Sequence, residues 1–211
     1  MNNIPLPEKF YRWAYLQRAE VIRKLAAGEE MSHERLFLGF TRHNPVLISH
    51  GPAGLNGSVK GFGFYPRREL MPEILEAFLE HIDRGPREGY SEEGLALLTK
   101  YIWGEGCADN LDFTVLSSLE MAKKHSWENL RTNPEATLVY YQPPAISFEV
   151  RGWVEFAFPG DIYHTYVNAL HDVYHTPRKD LWDSRPAYVF HIEEIFDNST
   201  GRDAFGTKIW G

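Results

Sequence analysis

Apolar residues recur along this chain with two periods, and the points where the period changes mark its elements. Residues 7–28 have helical spacing: Phe10, Trp13, Ala14, Leu16, Ile22 and Leu25 supply one stripe, and Gly28 is a natural stop. Arg35–Phe40 and Pro45–Ser49 read as strands about a turn at Arg42-His43-Asn44. His50–Ser58 reads as a flexible loop whose glycines match neither a dinucleotide-binding nor a Walker fingerprint, and Val59–Tyr65 alternates as a strand does. Residues 66–103 turn helical. Leu70, Ile74, Leu75, Phe78 and Ile82 share one side of a first helix, Arg84-Gly85-Pro86 breaks it, and a second helix runs from Ser91, its expected cap, through Tyr101.

The remainder is the more regular half. Asp112–Ser118 is β-rich, and a helical pattern follows over Glu120–Leu130, with Leu119, Ala122, Ser126 and Leu130 on one face. Thr132-Asn133-Pro134 stops that helix, because the residue before a proline is pushed out of the α region. Ala136–Tyr141 and Ile146–Phe156 are strand-like runs joined by Gln142-Pro143-Pro144-Ala145. A helix over Asp161–Tyr174, a loop through Leu181–Pro186 and a last strand over Ala187–Phe196 complete the pattern; the tail Phe205–Gly211 is apolar enough to be tied down.

Composition narrows the class. With 211 residues, 43% hydrophobic and 14% aromatic, the chain has enough apolar surface for a packed core in a single domain, and global disorder is excluded. A formal charge of −7 and a pI of about 5.7 argue against nucleic acid or an anionic membrane as partner. There is no run of apolar residues long enough to span a bilayer, and the first eight residues lack a signal peptide's basic start and apolar centre. One cysteine, Cys107, rules out an internal disulfide and suits a reducing cytoplasm. The triplets Asn56-Gly57-Ser58 and Asn198-Ser199-Thr200 match a glycosylation pattern, which without a secretion signal is read as chance.

Candidate chemistry concentrates after residue 112. A strand that ends in Ser117-Ser118 and feeds a helix bearing Lys123 and Lys124 gathers hydroxyls, backbone N–H groups and ammonium groups in one place. That combination suits an anion, most often a phosphate; the alternative is a plain βαββ segment with solvated lysines.

The order of the pieces resembles the FMN-binding split-barrel family, typified by pyridoxamine 5'-phosphate oxidase. The pieces are Phe113-Thr114-Val115, Ser117-Ser118, Lys123-Lys124, Asn129-Leu130 with Asn133-Pro134, Ala136-Thr137-Leu138-Val139, and Val150-Arg151-Gly152-Trp153-Val154-Glu155, continuing to about residue 197. The resemblance implies an α+β, mainly β fold: a split barrel of about six antiparallel strands with flanking helices and a helical insertion at 66–110. It implies a homodimer with FMN at the subunit interface, acting as an oxidoreductase on a small molecule. Ser117 or Ser118, Lys123 or Lys124, and an earlier basic residue (Lys60, Arg67, Arg68 or Lys100) would hold the phosphate. Gln142 and Arg151 would lie in reach of the cofactor or the partner, and Trp182 and Arg185 near the flavin of the other subunit. The ending that marks the true oxidases, R-L-x-P, is missing from the tail.

No catalytic cluster competes with this reading: there is no G-x-S-x-G, and Cys107 has no motif around it. His171 and His175 are four apart, with His164 and Asp172 nearby, but the H-E-x-x-H arrangement is not present and no metal is expected. Two alternatives remain open: a haem-binding or haem-processing barrel using those histidines, and a non-enzymatic barrel without cofactor.

Overall fold

The computed structural model describes residues 6–211; the reading of the first five residues lies outside the described residues. Eight antiparallel strands form one sheet: β1 (Val46–Gly51), β2 (Gly54–Val59), β3 (Gly63–Pro66), β4 (Leu111–Leu119), β5 (Glu135–Gln142), β6 (Ile146–Ala157), β7 (Ala187–Asp197) and β8 (Thr207–Trp210). Their order is β2-β1-β5-β6-β7-β4-β3, with β8 added alongside β7. The two outer strands of that path, β2 and β3, are consecutive in sequence and joined only by residues 60–62. A flat sheet of this order would set its edges about 29 Å apart at the usual strand spacing. Four residue steps reach roughly 14 Å at most. The sheet must therefore curl until its edges approach without pairing. The fold is a split barrel.

The helices cap and flank this barrel. Residues 8–26 form one rod, α1 (Glu8–Tyr11) and α2 (Gln17–Ala26) with a π-helical stretch Arg12–Leu16 between them. Its apolar stripe enters the core: Phe10 packs edge-on against Phe148 at 5.1 Å, and Tyr15 meets Phe113 at 5.2 Å and stacks on Trp103 at 5.4 Å. Phe10, Trp13 and Tyr15 are almost wholly buried, and each contributes on the order of 2 kcal/mol by leaving water. Gly28 takes the left-handed φ of +73° expected of a helix stop.

Three local expectations are corrected. Residues 35–40 are not a strand but part of α3 (His33–Thr41), because Ser32 caps it by accepting from the Arg35 N–H, and Glu34, Arg35 and the leucines are good helix formers. The stretch 50–58 is a hairpin rather than a loop: Pro52-Ala53 makes the bend, and Gly54 follows it at φ +80°. The strand expected over 59–65 is divided between β2 and β3 around residues 60–62. With β8, the hairpin brings the strand number to eight.

The helical insertion is real, comprising α4 (Met71–Asp83) and α5 (Tyr90–Leu98), and it has a definite seat. The last carbonyls of α7 (Ile162–Asp172) and the residues after it lack helical partners, and the insertion supplies them. Tyr90 Oη donates to Asp172 O at 2.6 Å, His81 Nε2 to Val173 O at 3.1 Å, and Ser91 Oγ to Tyr174 O at 3.1 Å. Ser91 thus serves α7 rather than capping its own helix, which starts from Gly89 in the left-handed region. Gly94 allows the approach, since a Cβ there would lie 1.9 Å from Val173 O.

Candidate functional site

β4 carries its two serines to the barrel's end, but successive strand residues face opposite ways and cannot serve one ligand together. Both are buried. Ser117 pairs with Gly63 across the sheet, and its Oγ has no hydrogen-bond partner. The helix expected over 120–130 is shorter, α6 (His125–Leu130), so Lys123 and Lys124 sit in an exposed loop before it. The reason is Glu120, only 1% exposed at the strand end. Its Oε1 accepts the backbone N–H groups of Ala122 at 2.8 Å and Lys123 at 2.6 Å. These bonds fold the loop back and hold Lys123 in the left-handed region at φ +49°, which no α-helix contains.

The other oxygen, Oε2, accepts from Lys60 Nζ at 2.9 Å and from the Tyr188 hydroxyl. Burial works to raise the Glu120 pKa, but the bonds from Tyr188, Lys60 and the Ala122 N–H outweigh it and leave the carboxyl below its ordinary range. Lys60 is therefore the early basic residue that reaches this strand end. Arg68 instead lies over the Tyr163 ring at 5.4 Å, Lys100 lies over Tyr101 at 4.6 Å, and Arg67 is exposed at the end of β3. An ammonium, a phenol and two N–H groups make an oxyanion cradle. By donor chemistry it fits a phosphate, with the Glu120 carboxylate standing where phosphate oxygens would sit.

The Asn-Leu and Asn-Pro pair does structural work beside the cradle. Asn129, fully buried on α6, donates to Ser49 O and Gly54 O and accepts the Ala53 N–H at 2.8 Å. Ser126 binds Asn56 and Ser58, each at 2.7 Å, and Asn133 donates to His50 O at 3.2 Å. Together they fasten the β1–β2 hairpin to α6.

The structure separates the remaining candidates from this point. Gln142 accepts from Trp13 Nε1 at 2.9 Å and fixes the N-terminal helix. Arg151 lies on the outer sheet face, paired with Glu149 at 2.5 Å and stacked over Phe196 at 4.4 Å. Trp182 and Arg185 are buried around Asp172 instead. Asp172, 0% exposed, accepts from Trp182 Nε1 at 2.8 Å, Arg178 N–H at 2.7 Å and His171 Nδ1 at 2.9 Å, with Arg185 Nη1 at 3.7 Å. Burial pushes its pKa up, and these bonds overcome that and hold it below the usual carboxylate range. His164 is buried and donates to Trp182 O at 3.0 Å, while the His175 ring lies 4.7 Å from that of His171. Among the described residues no group of three or more His, Cys, Asp or Glu side chains is arranged to hold a metal ion.

Two further features lie outside these clusters. An open groove of about 490 Å³ runs between α4 and α5, lined by Ala77, Glu80, Arg84, Glu93, Leu97 and Lys100. On the outer sheet face His191 stacks on Trp153 at 3.9 Å and meets Glu155 at 3.2 Å. Among the described residues no helix is long and apolar enough to cross a membrane.

No protein-family model matches the chain, and no curated protein matches its sequence. Among solved structures it is similar to HupZ from Group A Streptococcus (12% identity over 83% of this chain and 99% of that one, TM-score 0.44). It is also similar to an F420 reductase (18%, covering 72% and 88%, TM-score 0.41) and to a protein from Lactobacillus delbrueckii described as a pyridoxamine 5'-phosphate oxidase (16%, covering 79% and 93%, TM-score 0.42). At these scores the fold rests on the chain's own strand order, and its function on its own side chains.

Proposed function

We propose that the chain is an FMN-dependent oxidoreductase of the split-barrel type, acting on a small molecule as a homodimer. The observation that carries this reading is the oxyanion cradle at the end of β4 of an antiparallel split barrel. FMN, when bound, supplies the electron transfer, so the protein need contribute no strong nucleophile or acid. Lys60, Tyr188 and the N–H groups of Ala122 and Lys123 would hold the phosphate, and Lys123 and Lys124 would add positive charge beside it. An otherwise acidic surface makes such local charge necessary.

The outer sheet face supports pairing with a second copy. Cross-strand partners share a face, so Val59, Val46 and Val139, with Tyr141 two residues along the same strand, form one apolar patch bordered by the Glu149–Arg151 ion pair, with Tyr141 56% and Val59 67% exposed.

The test is the visible spectrum of the purified protein before and after heat denaturation, with mass measurement of the released species. A two-banded yellow chromophore of the mass of FMN is the expected result, with a lower cofactor content in the double variant Lys123→Ala, Lys124→Ala. A single intense Soret band would replace the assignment with haem, a colourless protein that takes up no FMN would remove it, and unchanged content in the double variant would remove the lysines' role.

A further inference from the structure

The cradle that suits a phosphate is already filled from within. Its four donors come from separate parts of the chain: Lys60 precedes β3, Tyr188 belongs to β7, and the two N–H groups lie in the loop after β4. Tyr188 is 0% and Glu120 1% exposed, so the site is built into the barrel end rather than lying on its surface. Lys60 also lies 5.2 Å from the Tyr188 ring centre, which fixes the ammonium against one wall. Glu120 is held at its own N–H by Pro186 O at 2.9 Å, so the backbone stays while the side chain has torsions free to turn outward. The residues that follow it, Met121 to Lys124, are exposed, so a side chain turned toward them meets solvent.

We infer that Glu120 is an internal competitor for an oxyanion site formed by Lys60, Tyr188 and the N–H groups of Ala122 and Lys123, and that an external phosphate monoester enters only as the Glu120 carboxylate withdraws. This rests on reading the β4 end as the anchoring point of the ligand, and adds how that point is controlled. A carboxylate bearing one charge and a phosphate bearing up to two compete for the same donors, so the dianion gains most from displacing the side chain. Withdrawal also frees the N–H of Lys123, whose left-handed backbone is held by that bond, so occupancy and loop conformation change together.

The test titrates inorganic phosphate into the full chain at constant ionic strength, following heat of binding and the amide resonances of Ala122 and Lys123. Glu120→Ala is expected to bind phosphate about tenfold or more tightly than the parent, the scale of one charge-assisted hydrogen bond, and adding Lys60→Ala is expected to abolish the gain. Equal affinity of parent and Glu120→Ala, or a gain that survives Lys60→Ala, would overturn the inference. If Glu120→Ala does not fold in chloride, its refolding yield in phosphate decides: recovery supports the site, and equal yields refute it. FMN titration of the same proteins keeps the two readings apart. Phosphate behaving as expected with no FMN uptake would defeat the flavin assignment alone. FMN binding equally to parent and variant, with phosphate indifferent to Glu120, would defeat this inference alone.

Discussion

Asp172 offers the sharpest test of how the region around Trp182 and Arg185 is held. Replacing it with alanine leaves the Arg178 N–H and Trp182 Nε1–H without acceptors and removes the negative charge 3.7 Å from a guanidinium whose Nη1 already has no hydrogen-bond partner. Breaking a buried pair by removing one partner costs about 3–5 kcal/mol, and each orphaned donor about 1–3 kcal/mol, terms that overlap and do not add. We expect about 4 kcal/mol, a large share of the 5–15 kcal/mol typical of a folded domain. Asparagine behaves differently. Its oxygen still accepts from Arg178 and Trp182, and its NH₂ faces His171 Nδ1, which accepts once the ring adopts its other neutral tautomer. Only the charge is lost, at about 1–3 kcal/mol.

Urea unfolding followed by tryptophan fluorescence separates the two variants. With a slope near 2–3 kcal/mol/M, Asp172→Ala should lower the midpoint by about 1–2 M and Asp172→Asn by about half as much. The pH dependence adds a sign. A carboxyl with a depressed folded pKa stabilises fully above its unfolded pKa, near 4, and that contribution disappears as pH falls through the folded value. The gap between parent and Asp172→Asn should therefore be constant at neutral pH and close below about pH 4. Equal losses in the two variants, or a loss under 1 kcal/mol in both, would refute the account of Asp172 as the anchor of this region.

Other expectations follow from single contacts. Gly94→Ala puts a methyl 1.9 Å from Val173 O, should cost about 1–3 kcal/mol and lower Tm by several degrees; an unchanged Tm would mean α5 does not sit against α7 as described. Asn129→Ala leaves the Ala53 N–H without its acceptor at a cost of about 1–3 kcal/mol, and hydrogen exchange should quicken across β1 and β2, whereas exchange identical to the parent would deny its role as a latch. Desolvation pushes the His43 pKa down to about 3 and also lowers those of His81 and His175. Bases with folded pKa values below the unfolded value near 6.5 contribute stability that is complete above that pH and lost as pH falls beneath it, by about 1.4 kcal/mol per pH unit for each fully neutral group. Tm should decline between pH 6.5 and 5, before the carboxylates titrate; a flat profile over that range would contradict it.

The elements that read correctly from sequence are those whose pattern and punctuation agree locally. α7 has its apolar spacing and Asp161, which accepts from the Tyr163 N–H as a cap. β5 and β6 alternate, and Asn133-Pro134 stops α6 where expected. Residues 35–40 misled because Leu36, Leu38 and Phe40 alternate as a strand would, while the cap at Ser32 decides for helix. Glu120 escaped notice for a different reason. Its partners Lys60 and Tyr188 are distant in sequence, and only the folded sheet brings β4 beside β7. The available signal was a single acid set between the strand-end serines and the lysines, the one place where a carboxylate would turn the loop back on itself.

Placed together, the buried carboxylates of Asp172 and Glu120 explain why the segment before β7 matters. Asp172 holds its beginning and middle through the Arg178 N–H and Trp182 and lies beside Arg185, and the Glu120 N–H holds its end through Pro186 O. Tyr188, two residues further on, then delivers its hydroxyl to Glu120. The segment is thus tied between an acid seated under the insertion and an acid seated in the cradle. Asp172 contacts none of the four donors, so a change there should reach the cradle only through Pro186 and the placement of Tyr188. Phosphate affinity measured in the Glu120→Ala background with and without Asp172→Asn reads that link directly. Affinity that falls when Asp172 is replaced means the segment positions Tyr188, and affinity that stays the same means β7 alone does so.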